Sequence, residues 1–398
     1  RVAAGVCYKM WTKGENGGLA AFAPPEILAA DLTGLVLVLA LWGATDPSAM
    51  PFLTQPRTAD FEAAKVLLVQ MGALTDEGRI TKEGRAIARM PVSARLAHMV
   101  LHAGPDGPLM AALLENRDVL MRDGGPLPVD LMLRWQAVQD ADRFERDHPF
   151  TVNRAAVKRI KSDARRLKPG GERRLSIGAM AALAYPDRIG LRRDGDEPRY
   201  LLSGGTGAVV PLGDALGTQR LIVATDLDGA RNDARVRIGA GVSEAELREL
   251  FADEIYEEQI CEWSRRDRAV RARIQTRLGA LALGDRPWPD CPPDKIAAAM
   301  LEGLRSLDHD ALPWTKANRL LQARVEWLRS RGTDLPDCSP TALLDRAEDW
   351  LLPYLGKTKT LTDLKKLDMN ALAQTWLTWD QMQTLDKLAP AKFTAPTG

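Results

Sequence analysis

Leucines at positions 28, 32, 35 and 39 recur at helical spacing, and the run stops at Gly43, a residue suited to ending a helix. Pro25 needs no N–H partner in a first helical turn, and Glu26 suits its positive end, so the helix is predicted to begin there. A second amphipathic helix is predicted over Thr58–Met71, beyond a proline-rich connector. Asp76, Glu77 and Gly78 give a turn signal, Arg79–Thr81 reads as a short strand, and Lys82–Met90 reads as a third helix. Two helices, a small hairpin and a short helix make a winged helix. From Ser93 to Ala184 the apolar spacing stays helical, split by Gly/Pro turns, which predicts a helical bundle with one long helix across 129–144.

At Tyr185 the pattern changes to alternation. "DRIGLRR", "RYLLS", "GAVVPL", "RLIVATDLD" and "ARVRIGAGV" are short β-rich runs separated by Gly/Asp turns, as in a small barrel. One helix interrupts, with Ser243 as its cap and Glu246 three residues on. Val270, Ala272, Ile274, Thr276 and Leu278 then alternate with Arg271, Arg273, Gln275 and Arg277, a long strand with one basic face that is expected to lie on the barrel. "DRPWPDCPPD" (Asp285–Asp294) marks a boundary, and the remainder is helical and rich in Trp and Leu. At the other end, Val6, Tyr8 and Met10 alternate with Gly5, Cys7 and Lys9, with no signal peptide ahead of them; this strand is expected to be the remnant of a larger sheet.

The fold class that follows is mainly α with a β-barrel, in several domains. An apolar content of 45% and a charged content of 27% over 398 residues are those of a soluble globular protein. The longest apolar run, Leu35–Trp42, is too short to span a bilayer, so no membrane is expected as a partner. The four cysteines are far apart with no Cys-x-x-Cys pair, which argues against a zinc module or disulfide framework and fits a reducing cytoplasm. A net charge of +1 points to no partner by itself, so local clusters must carry that argument.

"LLSGGTGAVV" (Leu201–Val210) is the most glycine-rich stretch, but no lysine follows and Val209-Val210-Pro211 leads into a strand, so a hairpin is expected rather than a phosphate loop. His98 and His102 stand four residues apart on one helix face, which is metal-ligand spacing, but no third donor is near in sequence; packing is expected and no metal. No histidine adjoins a nucleophile-elbow pattern. The strongest electrostatic signal is "RAAVKRIKSDARRLKPGGERRL", where Arg154, Lys158, Lys161 and Arg165 fall at spacings of four, three and four on one helix face. Such a stripe can track phosphates, although a solvated helix face looks the same in sequence. A second basic strip contains Arg271 and Arg273. Few aromatics interleave with either, so backbone tracking is expected over base stacking.

In this order the elements closely resemble the C-terminal part of DEAH-box ATP-dependent RNA helicases, and within them the bacterial HrpB type. The residues that carry the resemblance are "GVCYKMW", "PPEILAADLTGLVLVLALWG", "MGALTDEGRITKEGRAIARMPVSARLAHMVL", "LAYPDRIGLRR", "TRLGALAL", "DALPWTKANRLLQARVEWLR" and "EDWLLPYL", which together run through essentially the whole chain. The resemblance implies a remnant of the second motor domain over 1–23, a winged helix over 24–93, a ratchet-like helical bundle over 94–184, an OB-like barrel over 185–284 and an HrpB-type helical extension over 285–398. It also implies that both motor domains, with their ATP and Mg sites, precede Arg1, which aligns with the last arginine of the sixth helicase motif. No catalytic residue is therefore assigned to this chain.

The function implied is that of an accessory region, monomeric and cytoplasmic, that binds single-stranded RNA by phosphate contacts and forms the outer wall of the RNA channel of a 3′-to-5′ helicase, beside its own motor domains. Arg154, Lys158, Lys161, Arg165, Arg271 and Arg273 are the expected RNA contacts, with the wing residues Arg79 and Lys82 as lesser ones. The rival is a protein-interaction scaffold without nucleic-acid binding, anchored by Trp314, Trp327, Trp350, Trp376 and Trp379.

Overall fold

A computed structural model describes residues 4–18, 22, 25–122, 125–229, 233–307 and 311–392. The chain has two compact units, Arg1–Ala252 with Gly279–Leu281, and Asp253–Leu278 with Ala282–Gly398.

The first unit opens differently from the sequence expectation. Residues 4–10 form no strand; Val6, Tyr8 and Met10 are 82%, 81% and 90% exposed. Alternation makes a strand only where a neighbouring strand completes the ladder, and among the described residues none pairs with it. Arg1 lies outside the described residues. The first long helix, Thr33–Trp42, starts later than the leucine spacing predicts. Residues 26–28 make only a single tight turn, and Asp31 sets the true start by accepting from the Thr33 amide at 2.9 Å and its hydroxyl at 2.6 Å. The helix ends where expected, with Gly43 in the left-handed region at φ 84°.

Val36, Leu37, Leu39 and Ala40 of this helix share a core with Phe61, Ala64 and Leu68 of the helix Thr58–Gln70 and with Ile87 of the helix Lys82–Ala88. Each such side chain, once buried, contributes about 1.5–3 kcal/mol. The wing is smaller than predicted. The turn closes through the Thr75 amide donating to the Arg79 carbonyl at 2.8 Å, but Leu74 and Ile80 form a lone antiparallel bridge rather than a strand pair.

The bundle comprises Ala94–His102, Gly107–Glu115, Leu131–Gln139, Ala141–Asp147, Arg154–Ala164 and Ile177–Ala184. The helix predicted across 129–144 is two helices, because Asp140 turns its carboxylate onto the Arg143 amide and caps a new start.

The barrel strands are β1 (Ile189–Arg192), β2 (Arg199–Leu202), β3 (Gly207–Val209), β4 (Leu221–Leu227) and β5 (Ala234–Gly241), closed in the order β1-β2-β3-β5-β4. All pairs are antiparallel except β3 with β5. Tyr200, Leu202, Ala208, Val210, Ile222, Ala224 and Val236 fill it, and the buried Tyr200 hydroxyl donates to the Gln219 carbonyl at 2.7 Å. The helix Ile177–Ala184, buried along its length, lies directly on β5: a Cβ at Gly178 would sit 2.0 Å from the Gly241 carbonyl oxygen. The capping box at Ser243 and Glu246 forms as read, opening the helix Glu244–Leu250.

The second unit holds β6 (Ile255–Ser264), β7 (Ala269–Leu278) and β8 (Leu281–Pro287), in the order β8-β7-β6. The long basic strand exists as predicted in β7, but it belongs to this separate sheet and not to the barrel, which closes before it begins. The pattern had not singled out β6 or β8. A helical tail follows from Pro293 to Leu388. Its core contains Trp350 and Trp376, with ring centroids 5.4 Å apart, and Trp314 packs against them at 6.5 and 5.8 Å.

Candidate nucleic-acid interface

The helix Arg154–Ala164 is capped by Asn153, whose side chain accepts from the Ala156 amide at 3.0 Å. Val157 and Ile160 are buried, which turns Lys158, Lys161 and Arg165 toward solvent. Among the described residues no carboxylate stands within ion-pair distance of these three, and the Lys161 ammonium donates weakly to the Gln139 carbonyl at 3.4 Å. Arg154 differs: its guanidinium binds Asp142 at 2.5 Å and Glu145 at 2.6 Å. Those bonds raise its pKa further and hold Glu145 below the usual carboxylate range together with the Val152 amide. A phosphate would have to displace both acids.

The strand strip is more fully tied. Arg271 pairs with Asp267 at 3.1 Å, Arg273 binds Glu262 and also Asp285 at 3.3 Å, and Arg277 pairs with Glu258 at 3.1 Å. The cause is register. Glu262 lies directly across from Arg271 and Glu258 across from Gln275, so the acidic face of β6 covers the basic face of β7. On the wing, Arg79 pairs with Glu77 at 3.3 Å, whereas Lys82 is exposed in the first turn of its helix.

The sequence reading missed a larger feature. A cleft of about 1230 Å³ in the first unit is lined by Asn116, Arg117, Arg122, Pro128, Phe150, Leu212, Arg235 and Arg237, among others. Exposed Arg117, Arg122, Arg235 and Arg237 line it, none ion-paired among the described residues. The buried Arg134 stiffens its floor by donating to Asp118 at 2.8 Å and to the carbonyls of Pro128 and Asp130. Arg235 and Arg237 were legible as the outward positions of "ARVRIG", but only the fold brings them to Arg117 and Arg122.

The glycine-rich stretch is the predicted hairpin: the Leu202 amide donates to the Thr206 carbonyl at 2.8 Å between β2 and β3. With no lysine and no helix start there, it does not fit ATP or its Mg ion, and no step through them is derived for this chain. The two histidines gain a third neighbour that spacing could not show. Glu83 lies 2.7 Å from His102 Nε2 and 3.8 Å from His98 Nε2. Of the tryptophans, Trp350 and Trp376 are core, while Trp327 and Trp379 are exposed. Among the described residues no helix is long and apolar enough to cross a membrane.

Comparison with known proteins accounts for this order of elements. Residues 66–92 match the winged-helix "Helicase associated domain (HA2)", and residues 350–398 match "ATP-dependent helicase C-terminal". The class so defined is the C-terminal accessory region of a helicase. Within it the chain corresponds to the HrpB type of DEAH-box helicase. It is 31% identical to the ATP-dependent RNA helicase HrpB of Escherichia coli over all of its own length and 48% of that protein. Two crystal structures of E. coli HrpB align with 97% of the chain, at TM-scores of 0.54 and 0.55 and 31% and 30% identity, and the chain covers 46% and 47% of them. The ATP-dependent RNA helicase HrpA of E. coli is 29% identical over 33% of the chain and 10% of that protein. The chain thus spans about half the length of the HrpB relative it matches.

Proposed function

We propose that this chain is the RNA-handling part of an ATP-dependent 3′-to-5′ RNA helicase, in which it forms the outer wall of a channel for single-stranded RNA. ATP and Mg belong in this reading to motor domains of the same protein, and the chain itself acts as a monomer that hydrolyses nothing. The observation that carries it is the cleft, whose four exposed arginines have no ion-pair partner among the described residues, although Asp118, Asp214 and Asp226 also line it. Guanidinium groups in such a setting exchange counterions for phosphates, which gives affinity without sequence preference. Lys158, Lys161 and Arg165 extend the unpaired charge in the same unit, with Lys82 on the wing. Arg154, Arg271, Arg273 and Arg79 remain in the proposal as weaker contacts, since each must first leave an acid.

The test is fluorescence anisotropy with a single-stranded RNA at two salt concentrations, on the whole chain and on Arg235→Glu/Arg237→Glu. Both side chains point outward from β5, so the barrel interior is untouched. Binding about tenfold weaker, with a shallower salt dependence, is expected. Equal affinity in both proteins would refute the cleft as the contact. Exposed Trp327 and Trp379 favour the scaffold reading, which predicts no RNA affinity at either salt concentration.

A further inference from the structure

Glu83 stands in the helix Lys82–Ala88, and His98 and His102 stand one turn apart on the helix Ala94–His102. One donor atom from each lies within 4.8 Å of the other two, and the imidazole centroids are 4.7 Å apart. The hydrogen bonding around His98 is informative. Its Nδ1 is 3.0 Å from the Leu183 carbonyl, which can only accept, so Nδ1 carries the proton. With Nδ1 committed to that carbonyl, Nε2 is the ring nitrogen left to face the other two side chains. That nitrogen faces Glu83 Oε1 at 3.8 Å, itself an acceptor already approached by His102 Nε2 at 2.7 Å. Two acceptors turned toward each other leave a place for a cation.

From this geometry we infer that Glu83, His98 and His102 form a binding site for a divalent transition-metal ion of the Zn²⁺ type. Two imidazole nitrogens and a carboxylate are a donor set that suits such ions, and bonds of about 2.0–2.1 Å in a tetrahedron set donors about 3.3 Å apart. Glu83 Oε1 stands 2.7 Å from His102 Nε2 and 3.8 Å from His98 Nε2, so an ion enters by displacing the proton of the His102–Glu83 hydrogen bond and moving the donors by about half an ångström. The Leu183 carbonyl is the outer partner that orients a metal-bound histidine and fixes its tautomer. His98 is largely buried while His102 and Glu83 are partly exposed, so the ion has a route in and a fourth position open to water. The two helices it joins are the last of the winged helix and the first of the bundle, so a bound ion would staple them. The inference is independent of RNA binding.

The test uses the full chain stripped with a chelator and titrated with CoCl₂, read by visible absorption, then displaced with ZnCl₂; thermal unfolding with and without ZnCl₂ is the second readout. Wild type should take up one equivalent, with the intense bands of tetrahedral cobalt, and should melt at a higher temperature with zinc. His102→Ala removes a partly exposed ligand, and Glu83→Gln preserves shape while weakening the donor; each should lower cobalt affinity about tenfold or more and abolish the zinc-dependent shift. Circular dichroism establishes that both variants fold. No cobalt bands in wild type, or the same affinity in wild type and both variants, would overturn the site.

Discussion

The helix strip at Lys158–Arg165 and the strand strip at Arg271–Arg277 look alike in sequence, yet the fold gives them opposite surroundings. On the helix, burial of Val157 and Ile160 leaves the lysines facing water with no acid in ion-pair reach among the described residues. On the strand, pairing with β6 puts Glu258 and Glu262 diagonally beside Arg277 and Arg273, and Asp267 takes Arg271. A run of charge is therefore a statement about one element, whereas a field that attracts phosphate is a statement about that element and its neighbours. Arg154 shows the same rule within a single helix, since Asp142 and Glu145 claim it one turn before the free lysines.

The largest effect should come from the extreme of the paired class. Arg95 is 7% exposed and is held by Asp31 at 2.7 Å and by both oxygens of Asp187 at 2.5 and 3.0 Å, with the Tyr185 ring against it. Arg95→Ala takes the near partner from Asp31 and Asp187, leaving them only Arg188 at 4.0 and 3.9 Å, and should cost about 1–3 kcal/mol of stability in denaturant unfolding. The pH dependence follows in sign. Burial pushes the Asp31 pKa up, but Arg95 and the bonds from Thr33 outweigh it, so the folded value lies below the ordinary one. A depressed carboxylate contributes fully above its unfolded pKa of about 3.9 and loses that contribution as pH falls through its folded value. Stability should therefore decline below about pH 4, and less steeply in Arg95→Ala.

Next in size is Lys158→Glu/Lys161→Glu, expected to weaken single-stranded RNA binding about tenfold at low salt with little change in the melting temperature. Arg271→Glu/Arg273→Glu should do the reverse. RNA affinity should barely move, while lost surface pairs and new repulsion against β6 cost about 0.2–1 kcal/mol per pair in unfolding. A large RNA defect from that variant would break the contrast. The smallest effect sharpens it: Glu262→Gln frees one partner of Arg273, and RNA affinity measured by anisotropy should rise by about twofold or less.

Much of the fold could be read from local patterns. Gly43 ends its helix and Ser243 and Glu246 form their box because each signal is satisfied within a few residues. The alternating runs from Ile189 to Gly241 are legible as strands even though closing them pairs Ile189 with Val223 and Ala208 with Ala234. What sequence could not show depends on distant partners. Val6, Tyr8 and Met10 alternate without a ladder, Asp140 breaks a helix whose apolar spacing continues through it, and β7 leaves the barrel for a sheet whose other strands carry weaker patterns. The site was legible in part. The free face of Lys158, Lys161 and Arg165 followed from spacing, but the neutralisation of Arg273 needed Glu262 and Asp285, and the cleft needed Arg117 and Arg237 brought together across the chain. Glu83 reaches the two histidines only because its helix packs beside theirs.

The claim that unpaired cations of the first unit hold RNA is tested most directly by salt dependence. The slope of log K against log [KCl] for a single-stranded RNA should become shallower by about 0.7 for each phosphate contact removed. Lys158→Glu/Lys161→Glu and Arg235→Glu/Arg237→Glu should each flatten it, by about 1.4 if both residues of a pair touch phosphate, while Arg271→Glu/Arg273→Glu, whose arginines must first leave an acid, flattens it by clearly less. A slope that falls only in the strand variant, or in none of the three, would contradict the assignment.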